Sequence, residues 1–423
     1  MKNKLYLLLR KSEKYFKTDM VYLVAGGFWL TSAQFISSAS VFLLAIVFAN
    51  LIPKETYGTY KYVLSVTGVL ALVTLKGMDS AVTYGASRGI EGVFFPALKA
   101  KIKWGSLTIL GSILLSGYYY LNGNNALAEA FFLISFFLPF VDTLGIYANF
   151  LQGKKLFRIS SIYGIITQIG STAIIIVGLF FTKNLIVILF IYFASWTSFR
   201  LFFFLRTIKK FPPNDKYDLS ILSYGKHSSI VNMLDALITS IDGLLIFHYL
   251  GPVELAVYSF AIAPVSQIRS LFSNIPTLAI PRLATRHSKD IDLVIKKRVL
   301  ILLIIGILLS LAYILSAEYI YRLFFPKYLE AVFFSQLFSI AIALSLPQVV
   351  FGAAVSSKIT LIPKKMLYLW NIPGIIFIIL SIGLVQIFGI SGIILGRLFS
   401  LATTFIINYV AWEKIKKVEA AES

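Results

Sequence analysis

The sequence predicts an all-α integral membrane protein of twelve transmembrane helices in two six-helix halves. Three observations carry this. Of 423 residues, 58% are hydrophobic and only 14% charged, too few charges to cover a water-soluble surface. Apolar stretches of about 20 residues, the length that crosses hydrocarbon, recur along the whole chain. The short loops between them alternate between strongly basic and nearly base-free.

Taken in order, the apolar runs place spans at Val24–Asn50, Tyr60–Ser87, Lys103–Tyr120, Ala126–Leu151, Ile159–Phe181 and Leu185–Ile208. A second set follows at Tyr224–Leu250, Val253–Leu283, Val299–Ala317, Leu329–Ser356, Met366–Phe388 and Ile390–Trp412. The basic N-terminus (Lys2, Lys4, Arg10, Lys11, Lys14, Lys17) precedes an apolar run too long for a signal-peptide core, so the first span is retained. Leu5 to Phe16 reads as a short amphipathic helix on the membrane surface. The longest polar connection, from Lys209 to Ser223 with Pro212 and Pro213, divides the halves. The expected organisation is an N-terminal segment 1–20, a six-helix bundle 21–208, a linker 209–223, a second bundle 224–412 and a tail 413–423.

Charge fixes the expected orientation. One set of loops, with both termini, holds 30 of the 39 basic residues; the other holds only Lys54, Lys61, Lys183, Arg322 and Lys327. Basic loops stay cytoplasmic, so both termini are expected inside the cell. The net charge of +20 therefore reports topology rather than nucleic-acid binding. With no cysteine in the chain, no disulfide exists.

Span seven carries the most informative pattern. Asp235 and Asp242 lie seven residues apart, two helical turns, with Ser228, Asn232 and Thr239 on the same face. Carboxylates at membrane depth look into a bundle interior or a water-filled cavity and mark a pathway, or else they sit in a buried ion pair. Span eight has a broad polar arc: Arg269 with Ser266 and Ser273 on its face, and Gln267, Ser270, Asn274 and Thr277 beside it. Asp142 on span four shares a face with Ser135, Pro139 and Asn149. Lys76 and Asp79 are spaced for an intrahelical pair, and Arg397 heads a stripe with Ser400 and Thr404. Arg200 reads as an anchor at a span end.

The halves share a short repeat. Leu51-Ile52-Pro53-Lys54-Glu55-Thr56-Tyr57-Gly58 follows span one, and Leu250-Gly251-Pro252-Val253-Glu254-Leu255-Ala256-Val257-Tyr258 follows span seven. Both lie on one side of the membrane, so the repeats are parallel. On these turns, and on the stretch LSYGKHSSIVNMLDALITSIDGLLIFHYLGPVELAVYSFA, the chain resembles the polysaccharide flippases of the multidrug/oligosaccharidyl-lipid/polysaccharide exporter superfamily. Ala256-Val257 departs from that pattern, which has a glycine before the tyrosine; Gly58 keeps it in the first half.

The resemblance implies two pseudo-symmetric bundles around a central cavity that opens alternately to each side of a bacterial or archaeal cell (inner) membrane. It implies a cargo of undecaprenyl-diphosphate-linked oligosaccharide, flipped to the outer leaflet and handed to polysaccharide polymerase machinery. Cations suit its diphosphate and neutral polar groups its sugars. The substrate-binding candidates are therefore Arg269, Arg397, Lys76, Asn232, Gln267 and Asn274. Arg269 contacts the diphosphate or pairs with Asp235 or Asp242. Asp235, Asp242 and Asp142 are the candidates for coupling to a proton or sodium ion. A drug or lipid II exporter of the same superfamily is the alternative. A membrane enzyme is disfavoured, because the base-poor loops are a few residues each and hold single glutamates rather than paired acid/base groups. His227, His248 and His287 have no metal-ligand spacing, and no cofactor motif occurs.

Overall fold

Why twelve crossings arise is visible in the helices themselves. The computed structural model describes residues 20–273, 276, 283, 287–358 and 371–422, without the side chains of 20–26, 230–232, 234–236 and 421–422. No strand occurs among the described residues. The helices are α1 Met20–Leu51, α2 Lys54–Leu70, α3 Gly77–Ser87, α4 Phe94–Leu121, α5 Asn125–Ser135, α6 Leu138–Val141 and α7 Ile146–Gly153. They continue with α8 Phe157–Phe181, α9 Leu185–Lys210, α10 Leu219–Tyr249, α11 Pro252–Ser270, α12 Ser288–Phe324, α13 Ala331–Ser357 and α14 Ile372–Glu422.

Six of these are long and apolar enough to cross a bilayer, and two bent pairs raise the number to eight. At 51 residues, α14 would be about 76 Å long, more than twice the hydrocarbon thickness. Gly389, at φ 57° and ψ −134°, folds it into two crossings, a conformation glycine adopts without strain. Polar α4, α10 and α11 complete the twelve. The single expected spans two and four are each broken. The stretch Lys54–Thr74 meets α3 at 53°, and α5 meets Leu138–Gly153 at 45°.

Helix starts depart from the apolar runs. Pro53 precedes α2 and Glu55 lies in its first turn, as Pro252 and Glu254 do in α11. Proline is preorganised at a helix entry, and an acid there favours the helix dipole. Consequently α2 begins six residues before the expected span; α4 also starts early, nine residues before Lys103.

Within the first half α1 packs on α8, α8 on α9, α4 on α5 and α5 on α9. In the second half α12, α13 and α14 pack in sequence, with α11 on α13 and α10 on α14. The halves meet where α2 crosses α10 and α11, where α3 lies on α10 and where α1 touches α11. One apolar core runs across both halves at the end with the short, base-poor loops, including Phe48, Tyr57, Tyr60, Phe260, Phe325 and Tyr328. At the basic end each half has a core of its own, around Phe94 and Phe150 in one and around Phe351 and Trp412 in the other, and a small cluster of Ala81, Val93 and Ile221 joins α3 to α10 across the halves. Outward-facing Leu114, Phe180, Leu308 and Leu315 are exposed, as a lipid environment permits.

The base-poor end is sealed by the two repeat turns. Tyr57 stacks on Phe260 at 4.4 Å, Phe260 meets Tyr328 at 4.2 Å, and Phe48 stacks on Tyr60 at 5.0 Å. Gly58 lies against Pro252, where an added Cβ would stand 1.7 Å from the proline carbonyl. This explains the asymmetry of the repeat: the first-half turn needs glycine because the second-half turn rests on it. At the rim, Lys54 bridges to Glu330 at 2.5 Å and Lys327 donates to the Asn50 carbonyl at 2.6 Å.

Charged ties also fasten the basic end within each half. Glu91 accepts from the Asn214 backbone and pairs with Lys154 at 2.7 Å, strapping residues 211–218 to the first half. In the second half, burial pushes the Glu419 carboxyl up. The Lys358 ammonium and the Ser288 backbone N–H outweigh burial and pull it down to about 2.

Because the chain lacks cysteine, Ser259→Cys would give a single thiol below the seal. An impermeant thiol reagent added from the base-poor side should label it slowly in the parent. Labelling should be faster with Gly58→Ala, whose methyl pushes the turns apart; equal rates would show that the seal does not depend on this approach.

Candidate functional site

The best-connected charge in the membrane interior belongs to Asp242, which is 5% exposed. The Arg397 guanidinium grips it from α14, with Nη2 2.8 Å from Oδ1 and 2.7 Å from Oδ2, and Nε 2.9 Å from Oδ2. The Tyr258 hydroxyl donates to the same carboxylate. Arg397 also donates to the Ile238 carbonyl at 3.0 Å and lies over the Phe377 ring at 4.5 Å. A buried pair survives only when such bonds replace the lost water.

This pair forms one wall of a cavity of about 300 Å³, which Lys61 and Ser65 close from the first half. Arg269 enters from α11, its Nε donating to the Ser345 hydroxyl at 3.1 Å and its guanidinium 5.9 Å from the centre of the Phe338 ring. Its two terminal nitrogens bond no described residue, and the Lys61 ammonium has no partner among the described residues either. Among the described residues three cations and one carboxylate thus face the cavity, an excess of positive charge within that set. Thr239 and Ser266 add neutral hydroxyls.

A second charged cluster lies inside the first half. Lys101, wholly buried, donates to Asp79 at 2.8 and 2.9 Å and lies 3.6 Å from Asp142. Thr74 donates to Asp142 at 2.8 Å. Arg200 donates to the Val141 carbonyl and lies over Trp196. The cluster occupies both helix breaks: Leu75, with left-handed φ 53°, joins α3 to the 3₁₀ turn Ala71–Thr74, and Asp142 follows α6. Two carboxylates from two bent spans share one lysine.

Several sequence expectations are corrected here. Asp79 is taken by Lys101, not by Lys76, which lies in the break outside the cavity and makes no ion pair among the described residues. Asp242 is paired with Arg397, 155 residues away, not with Arg269. Asp142 has the Lys101 ammonium beside it at 3.6 Å. Arg200 reaches into the bundle instead of anchoring a span end. Arg269, Arg397 and Asp242 are brought to one cavity, and Gln267 lines the neighbouring one. The side chains of Asn232 and Asp235, and all of Asn274, lie outside the described residues.

Lys61 and Lys101 were the residues the sequence concealed, each counted with a loop because its helix starts early. The available signals were Pro53 with Glu55 for α2, and for α4 the strong helix formers Ala97-Leu98-Lys99-Ala100.

The sequence pattern of the polysaccharide biosynthesis protein family matches residues 23–287. The chain belongs to that family. The fold is that of the superfamily its repeat turns resemble. It aligns with MATE in complex with MaD5 at a TM-score of 0.64 and 13% identity, covering 93% of this chain and 96% of that one. The lipid II flippase MurJ in its inward closed conformation aligns at 0.64 and 17%, covering 92% and 90%. An inward-facing multidrug resistance MATE family transporter of the MOP superfamily aligns at 0.58 and 12%, covering 95% and 99%. At these identities the likeness is one of fold. No curated protein sequence matches the chain.

Lys101→Met should cost about 1–3 kcal/mol of stability, since it takes the shared ammonium from two half-buried carboxylates. Adding Asp79→Asn should recover part of that loss. Unfolding in detergent measures both, and a Lys101→Met protein as stable as the parent would contradict the assignment.

Proposed function

We propose that the protein flips an undecaprenyl-diphosphate-linked oligosaccharide from the cytoplasmic to the outer leaflet by alternating access between its two bundles. The basic end is then the cytoplasmic one, and the aromatic seal is the outer gate in its closed position. The observation that carries this reading is the cationic cavity between the halves. Lys61, Arg269 and Arg397 outnumber Asp242, in a space where an unmatched positive charge is costly without an anion to meet it.

A diphosphate suits those cations. Guanidinium groups bind carboxylate and phosphate with the same forked geometry, so Arg397 can exchange Asp242 for a phosphate oxygen without changing its bonding pattern. Arg269 offers its terminal nitrogens, and Lys61 a point charge from the opposite half. Bridging both halves, the headgroup ties cargo to lobe movement. Asp242, released from Arg397, becomes the residue at which a proton or sodium ion restores charge balance, giving the cycle a route to ion coupling. The Asp79–Lys101–Asp142 cluster holds the two bent spans of the first half and does not touch cargo.

The test is reconstitution into liposomes with a labelled undecaprenyl-diphosphate glycan, scored for translocation with and without ion gradients. Charged hydrogen bonds contribute about 1.5–3 kcal/mol, so Arg269→Ala, Arg397→Ala and Lys61→Ala should each slow translocation by about tenfold or more while inserting normally. Asp242→Asn should lose the gradient dependence. Full rates in all four variants would sink the proposal.

A further inference from the structure

Beside the cationic cavity lies a second chamber of about 310 Å³, sharing with it a wall of Lys61, Ser259, Ile262 and Ser266. Its other surfaces differ in kind. Gln168 and Thr172 come from α8, Tyr192 and Trp196 from α9, and Gln267 from α11. Apart from Lys61 on the shared wall, no charged side chain among the described residues lines it.

The chamber combines flat aromatic surface with neutral hydrogen-bonding groups, most of them uncommitted. Gln168 is held, accepting from Ser37 at 3.2 Å and donating to Thr172 at 3.1 Å. The side chains of Tyr192, Trp196 and Gln267 hydrogen-bond no other described residue. At its outer end Tyr57 and Tyr60 form part of the lining, and both belong to the aromatic seal.

A pyranose has apolar C–H faces and a rim of hydroxyls that donate and accept. It is matched by aromatic rings that carry a polar handle and by amides able to do both. A diphosphate is matched by the neighbouring chamber, where Arg269 and Arg397 stand. We infer that the chamber lined by Gln168, Tyr192, Trp196 and Gln267 is the glycan subsite, receiving the first sugar of the lipid-linked unit. Lys61 stands on the shared wall, where the glycosyl phosphate crosses from one chamber to the other. The inference rests on the headgroup reading above and adds the division of labour: the cavity of Arg269 and Arg397 holds the anion and the chamber of Tyr192 and Trp196 holds the sugar. Both lie beneath the seal, so opening that gate exposes the glycan to the outside.

The experiment uses the full chain in lipid nanodiscs and two probes, undecaprenyl diphosphate and undecaprenyl-diphosphate-linked N-acetylglucosamine. The parent should bind both, the glycosylated probe more tightly. Trp196→Ala should weaken the glycosylated probe about tenfold and leave the sugar-free probe within about twofold, whereas Arg269→Ala should weaken both. Trp196→Phe, which keeps an aromatic face, should recover most of the loss. If Trp196→Ala fails to insert, Gln267→Ala provides the same comparison. Equal weakening of both probes by Trp196→Ala, or of neither, overturns the glycan assignment while leaving the headgroup reading intact. Failure of the parent to bind either probe overturns both.

Discussion

A charge at bilayer depth has few places to go, and the Asp242–Arg397 pair shows how this chain solves the problem. Each ion alone would be expelled from hydrocarbon at a cost of several kcal/mol. Together, with Tyr258 on the carboxylate and the Ile238 carbonyl and Phe377 ring on the guanidinium, they are tolerated where α10, α11 and α14 converge. The pairing fixes the mutual rotation of these helices, and that rotation turns Arg269, Thr239 and Ser266 toward the same space. The cavity exists because the charges have to share it.

The two charged clusters answer the same constraint in opposite ways. In the first half, Lys101 stands between Asp79 and Asp142, and Thr74 and Arg200 complete the bonding around two helix breaks. Both carboxylates there are held by protein donors, and Lys76 beside them lies outside the cavity. At the cavity between the halves the cations are in excess among the described residues, and two of them, Lys61 of α2 and Arg269 of α11, keep donors free. What separates the two is that Lys61, Arg269 and Arg397 face a cavity between the halves, which is why the diphosphate is assigned to the second cluster alone.

Much of the architecture was legible because the membrane simplifies the reading. Apolar length found the spans, and loop charge ordered them. The paired turns after spans one and seven pointed to a repeat whose two copies turn out to rest on each other through Gly58 and Pro252. What failed was anything depending on where a helix begins or which helix faces which. Hydropathy measures the hydrocarbon-facing stretch, whereas a helix starts where its backbone bonds start, so Lys61 and Lys101 read as loop residues though each lies two turns inside. The partner of Asp242 was sought on the next helix in sequence. In the fold α10 packs chiefly against α14 and the first half, and contiguity in sequence says little about facing surfaces in a twelve-helix bundle. The glycan chamber was illegible for a third reason: Gln168, Tyr192 and Trp196 are ordinary residues for membrane helices until α8 and α9 bring them to one wall.

The central claim is that Asp242 and an anionic headgroup compete for one guanidinium, and affinity for undecaprenyl diphosphate in nanodiscs tests it most directly. If they compete, Asp242→Asn tightens binding, because Arg397 is freed, and the gain disappears when Arg397→Ala is added. Should Asp242→Asn weaken binding as much as Arg397→Ala does, the pair would be a fixed strut of the bundle and the account of the cavity as an anion exchanger would be wrong.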